Sequence, residues 1–158
     1  MMIKITSKQC EELSVIAAHH NRKRTIHNFH EGASDLLQRM INAMEPETYV
    51  QPHKHDNPDK REVFIALSGE ALVVEFADDG EISDHAIIKP LSACMAVEIP
   101  PKIYHAIYAL KRGTILYEVK DGPYDVATDK VFASWAPAEN SKDSEMYKKE
   151  LFKKLGIV

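Results

Sequence analysis

The sequence predicts a single, mainly β domain: an antiparallel barrel or sandwich with helical segments toward both ends. Two observations lead there. From Thr48 onward, short β-rich runs recur between turn residues: Thr48–Val50, Val63–Leu67, Ala71–Phe76, Ala86–Lys89, Met95–Ile99, Ala106–Leu110 and Thr114–Val119. The breaks are Ser68-Gly69, Asp78-Asp79-Gly80, Pro90, Pro100-Pro101 and Arg112-Gly113, and strands at this spacing imply an all-β barrel or sandwich. In addition, a chain of 158 residues with 44% hydrophobic side chains can bury one core, and its length gives no reason for a second domain.

Taken in order, Ile3 to Thr6 alternate like a short strand, and Ser7 can cap a helix in which Cys10, Leu13 and Ala17 recur at helical spacing. The basic cluster Asn21-Arg22-Lys23-Arg24 leads into Thr25–His30, read as a strand with polar groups on one face, and Glu31-Gly32-Ala33 reads as a turn. Ser34 is the expected N-cap of a second helix. Its apolar stripe is Leu36, Leu37, Met40, Ile41 and Met44, Pro46 marks its end, and it should pack on the outside of the barrel. Beyond Gly122-Pro123 the pattern loosens, and Lys142 to Leu155 alternates charged and apolar residues like a surface helix. The expected organisation is an N-terminal extension over residues 1–45, a barrel over 46–125 and a C-terminal extension over 126–158, all one structural domain.

Twenty basic and 24 acidic residues give a formal charge of −4 and are spread along the chain, which leaves no broad cationic face for duplex nucleic acid. No apolar run approaches a membrane span, and MMIKITSKQCEEL lacks the cationic and apolar regions of a signal peptide, so the expectation is a cytoplasmic protein without a membrane partner. Cys10 and Cys94 are far apart and form no Cys-x-x-Cys, which predicts two free, buried thiols.

The chemistry concentrates in a few positions. Pro52-His53-Lys54-His55 sets two imidazoles at i and i+2, which on an extended strand share a face and can share a metal ion. Glu62 opens the next apolar run and supplies a carboxylate, and hairpin pairing would bring it back beside the histidines. His105 follows Pro100-Pro101 at the start of a later strand, from which it could face the first pair across a barrel. Three imidazoles and one carboxylate suit one divalent transition metal ion, such as zinc, iron, manganese or nickel, better than calcium or magnesium. Asp59, in the loop between His55 and Glu62, is the alternative carboxylate.

These positions resemble the two motifs of the cupin superfamily. The first has His-x-His, then Glu, then a Gly seven residues later, here His53, His55, Glu62 and Gly69; the second, Pro-x-Gly-x-x-His, stands as Pro100-Pro101-Lys102-Ile103-Tyr104-His105. Two departures stand out: the six residues between His55 and Glu62 are more than usual, and Lys102 replaces the glycine, so it should avoid the positive φ that glycine accepts. Arg24, Asn28-Phe29-His30, Gln38-Arg39, Asn42 and Tyr49 extend the resemblance to the WbuC family of cupin metalloproteins, as do Glu118-Val119-Lys120-Asp121-Gly122-Pro123-Tyr124, Lys130 and Trp135-Ala136-Pro137. That resemblance covers about residues 22 to 138. It implies a cupin jelly-roll barrel of the RmlC-like kind, a metal site, and association with bacterial surface-polysaccharide pathways, without a defined reaction.

The reading that follows is a metal-dependent isomerase or epimerase acting on a sugar or sugar-nucleotide. Its alternatives are an iron-dependent dioxygenase and a non-enzymatic module that binds a metal or small ligand. The expected metal ligands are His53, His55, Glu62 and His105, with Glu62 and Tyr104 as candidate catalytic groups. Arg24, His30 and Tyr49 are candidates for binding the substrate, a phosphorylated sugar or carboxylate, with Lys23 beside Arg24. Arg39 is expected in a structural ion pair, Lys120-Asp121 in a turn, and Trp135 as an apolar plug. A homodimer is expected from the exposed edges of a small barrel.

Overall fold

Alternation along short extended segments is satisfied here by two sheets packed face to face. The computed structural model describes residues 2–157. Its elements are α1 (Ser7–His19), β1 (Arg24–Asn28), β2 (Leu37–Met44), β3 (His53–Lys54), β4 (Glu62–Ser68), β5 (Ala71–Phe76), β6 (Ile82–Ile88), β7 (Ala96–Ile99), β8 (Tyr104–Ala109), β9 (Thr114–Asp121), β10 (Val131–Phe132) and α2 (Ser144–Lys154). One sheet runs β1-β2-β9-β4-β7 and the other β10-β3-β8-β5-β6, with antiparallel pairing throughout. This is the jelly-roll arrangement.

The inner faces meet through Met44, Phe64, Ala66 and Leu116 from the first sheet and Ala71, Val73, Ile88, Ile107 and Ala109 from the second. The outer faces are covered as well. Leu13 and Ala17 of α1 pack on Ile41, Ala43 and Ile115, while Leu151 of α2 packs on Leu72, Val74, Phe76, Ala106 and Tyr108. Strands buried on both sides lose their clean apolar–polar alternation. Thr6, rather than Ser7, caps α1 by accepting the Gln9 N–H at 3.3 Å.

Covering both faces explains the main departure from the sequence reading. Residues 37–44 form β2 rather than a helix, so one helix rather than two precedes the barrel, and the barrel begins at β1 instead of residue 46. Gln38, Met40, Asn42 and Met44 line the inside, while Ile41 and Ala43 are sealed outside by α1, and together the two rows imitate a helical stripe. No strand forms over Ile3–Thr6 or Thr48–Val50; the short pairing falls instead on His53–Lys54. Cys10 and Cys94 are free thiols, half-buried rather than buried.

Of the positions with left-handed backbone, two lie in the motifs that carry the site residues. Gly69, between β4 and β5, has φ +71°, and a Cβ there would lie 2.6 Å from the Thr114 Cα, which reserves the position for glycine. Lys102 also adopts a positive φ, 69°, contrary to the expectation that a non-glycine would avoid it. Its N–H donates to the His55 carbonyl at 3.0 Å and its ammonium pairs with Asp59 at 3.2 Å, so the tie between the two motifs fixes the conformation. Because a side chain in this region costs about 1–2 kcal/mol and the surface ion pair returns little, Lys102→Gly is expected to stabilise the fold by about 0.5–1 kcal/mol. Urea denaturation checks this, and a loss of stability would show that the Lys102 side chain matters more than its backbone.

Candidate metal centre

Three histidines come from the second sheet. β3 turns His53 inward, His55 follows two residues later on the same face, and the antiparallel register sets His53 directly beside His105 of β8. His105 is therefore a sheet neighbour of the first pair and does not face it across the barrel. The carboxylate does the facing. Glu62 opens β4, which pairs with β9 and β7 and makes no hairpin with β3, so Glu62 reaches the histidines from the opposing sheet.

All four residues are buried, each at most 4% exposed, and one ligand atom from each lies within 4.8 Å of the others. The ring orientations are set from behind. His53 Nδ1 contacts the Gln51 carbonyl at 3.0 Å, His105 Nδ1 that of Ile103 at 2.9 Å, and His55 Nδ1 that of Asp129. An Nδ1–H directed at a carbonyl leaves an unprotonated Nε2 lone pair pointing the other way. His55 Nε2 has no hydrogen-bond partner, and Glu62 Oε2 stands 3.6 Å from it and 2.8 Å from His105 Nε2. These acceptors converge on one point with no donor between them, so a proton or a metal ion has to lie there. Burial, followed by the charges of Lys130 and His105, pushes the His53 pKa well down, which keeps that ring neutral. Burial opposes ionisation of Glu62, but a proton carried on His105 or His55, through hydrogen bonding and charge, outweighs it and holds the carboxyl well below its usual range. A neutral-imidazole and carboxylate set fits a borderline divalent metal. Asp59 lies outside this set, half-exposed and paired with Lys102.

The group forms part of the wall of a cavity of about 520 Å³ that runs between the sheets toward β1. A separate groove of about 670 Å³ beside α1 holds only Glu11 and Cys10 among ionisable side chains. In the first cavity, β9 contributes Glu118 and Lys120, which alternate inward with the buried Leu116. Asn42 donates to Glu118 at 2.5 Å, and burial, then the nearby Glu62 charge, pushes the Glu118 pKa up to about 8. Lys120 is a buried wall residue and not part of a turn. The sequence reading does not anticipate Glu118 or Lys120 as site residues; their signal is charge at every second position on the inward row of an otherwise apolar strand.

Behind the site, Asp129 ties the chain together. Its carboxylate takes Lys60 at 2.6 Å and Lys120 at 2.9 Å, while its carbonyl orients His55. Lys60, 2% exposed, also donates to the Pro123 carbonyl at 2.6 Å.

The expected substrate groups separate. Arg24 and His30 line the cavity, but the Arg24 guanidinium is held by Glu139 at 2.7 Å and the Tyr49 carbonyl at 3.0 Å. Lys23 is turned away to the Ala18 carbonyl at 2.7 Å. Tyr104 precedes His105, so with His105 inward it must point outward, where it meets Trp135 and Lys54. Tyr49 also faces the outer layer, donating its hydroxyl to the Pro137 carbonyl at 2.8 Å. Neither tyrosine lines the cavity. Arg39 pairs with Asp35 at 3.4 Å, and Trp135 plugs the outer face against Phe76.

A family model matches residues 5–88, from α1 through β6, including His53, His55 and Glu62. The chain belongs to the family described as a domain of unknown function, DUF6016. No match is found among curated protein sequences. Among solved structures, this DUF6016 chain is similar to the capsular polysaccharide assembling protein CapF from Staphylococcus aureus, at 22% identity and a TM-score of 0.60 over 72% of this chain and 30% of that one. It is also similar to the protein TT1209 from Thermus thermophilus, at 20% identity and a TM-score of 0.54 over 77% and 97% of the two chains. The L-ribose isomerase of Cellulomonas parahominis gives 12% identity and a TM-score of 0.54 over 71% and 70%. The chain thus spans about a third of CapF, and these likenesses are of fold: the domain is a cupin jelly roll.

Removing one partner from a buried ionic cluster leaves charges without compensation, at about 3–5 kcal/mol. Asp129→Ala strands Lys60 and Lys120 and is expected to lower unfolding free energy by that amount in urea titrations, whereas a change under about 1 kcal/mol would mean both lysines find other partners.

Proposed function

We propose that this protein is a metal-dependent isomerase or epimerase acting on a sugar-type substrate, with His53, His55, Glu62 and His105 holding one divalent transition metal ion. The observation that carries the reading is the convergence of three backbone-oriented imidazoles and a carboxylate from the opposing sheet at the wall of a polar cavity. When bound, such a metal polarises a carbonyl or chelates adjacent hydroxyls.

The chain's own residues supply the rest. Among the described residues, Glu118, His30, Tyr124 and Lys130 are the ionisable groups that line the cavity outside the donor set and free of ion pairs, since Asp129 is paired with Lys60 and Lys120 and Glu139 with Arg22 and Arg24. Glu118 is assigned the proton transfer at a substrate carbon, its carboxyl held in place by Asn42. Phe132 and Tyr124 present exposed rings at the mouth, suited to the apolar C–H face of a sugar, and Asn28 offers an amide to hydroxyls. The resemblance to the WbuC family supports a place in surface-polysaccharide assembly. So does the neighbour named for capsular polysaccharide assembly, and the neighbour named as an L-ribose isomerase supports the isomerase reading.

Mass spectrometry of protein purified without added metal or chelator is expected to find about one equivalent of a single transition metal, and none in His53→Ala/His105→Ala. An empty wild type, even after reconstitution, would sink the metal reading, while bound iron would redirect it toward oxygen chemistry. The reaction itself is read in D₂O with a panel of keto-sugars and nucleotide keto-sugars. One deuterium should enter at the carbon beside the carbonyl, and Glu118→Gln should slow this by at least about 100-fold. Metal-loaded protein that exchanges no substrate hydrogen would leave a binding module.

A further inference from the structure

The charges around the cavity do not cancel uniformly. Arg22 and Arg24 grip Glu139 at the mouth, both at 2.7 Å, and Lys120 is bonded to Asp129 at 2.9 Å and lies 4.0 Å from Glu62. Lys130 is different. It lines the same cavity, yet among the described residues its ammonium has no hydrogen bond and no carboxylate within ion-pair distance. Its place follows from the sheet: β10 pairs Val131 with Lys54 and Phe132 with His53, and one more step of that register sets Lys130 beside His55. Lys130 and Phe132 therefore point inward on the same row as the two histidines. Lys130 is exposed and lines the cavity.

An unpartnered ammonium beside a set of metal ligands is an anion-binding arrangement, since every other cation lining the cavity already meets a carboxylate. We propose that Lys130 is the residue that holds the substrate's anionic group, and that the substrate is a small polyhydroxylated acid carrying one carboxylate or one phosphate monoester. This assigns the role expected of Arg24 to a residue on the other side of the cavity. The inference rests on the metal-site reading for the substrate's orientation but not for the anion contact itself. One free cation among the described residues matches one anionic group, the aromatic rings at the mouth match the sugar-like remainder, and about 520 Å³ is ample for a monosaccharide acid.

The test is calorimetric titration, at low salt, of zinc-reconstituted protein with D-gluconate, D-glucose 6-phosphate and neutral D-glucitol. Wild type should bind one of the two anions at least about 10-fold more tightly than glucitol, and the tighter one tells carboxylate from phosphate. Lys130→Met, which keeps the length of the stem, should abolish that preference, Lys130→Arg should retain it, and Arg24→Ala should leave it within about threefold. Equal affinity for all three probes, no binding by wild type, or an unchanged preference in Lys130→Met would each overturn the proposal. Zinc content is measured on every sample. A wild type that takes up no zinc yet loses its anion preference in Lys130→Met would end the metal reading and keep this one, whereas zinc held equally with an unchanged preference would do the reverse.

Discussion

The structure turns on the meeting of Glu62 with three imidazoles across the gap between two sheets. Burying four polar groups at one point costs several kcal/mol unless each is satisfied. Here each histidine is satisfied on one nitrogen by a backbone carbonyl, and the opposite nitrogens and the carboxylate are left to one another. That need for a cation or proton couples strands that share no hydrogen bonds. β3 and β8 bring the rings, β4 the carboxylate, and the turn at Lys102 ties the Pro100–His105 segment to the His55 carbonyl.

Around this point, the barrel keeps apolar and ionic burial apart. One part of the inter-sheet space is filled by Phe64, Ala66, Val73, Ile88, Ile107 and Leu116, as a β-sandwich core should be. The other part holds Glu118, Lys120 and the donor set, with Asp129 behind them. The ionic part does not favour folding by itself; it is tolerated because the surrounding apolar layers, sealed outside by α1 and α2, supply the stability. A cavity with charged walls can then persist between rigid sheets, which is what a site for a small polar ligand requires.

The chain after the barrel also contributes to the site. Asp129 orients His55 through its carbonyl, Phe132 pairs with His53, and Glu139 clamps Arg22 and Arg24 at the mouth. Residues 123–139 have little regular structure, yet they form one side of the cavity and fix its charge balance. Such a segment is held by specific polar contacts rather than by periodic burial, so it carries no simple pattern along the sequence.

The sequence by itself determined the class of fold and singled out the four residues that converge between the sheets. Strands of about six residues between Gly, Pro and Asp turns leave little choice but an antiparallel barrel, and His-x-His on an extended segment must place both rings on one face. Only the tertiary structure decided that residues 37–44 are a strand, because their apolar outer row depends on α1 lying over it, and a period of two buried on both faces looks like a period of 3.6. It also decided which charges face inward. Glu118, Lys120 and Lys130 are ordinary in composition, and their inward placement and pairing come from strand register and from which partners the distant Asp129 and Glu139 leave free, a matter of contacts between residues far apart in the chain.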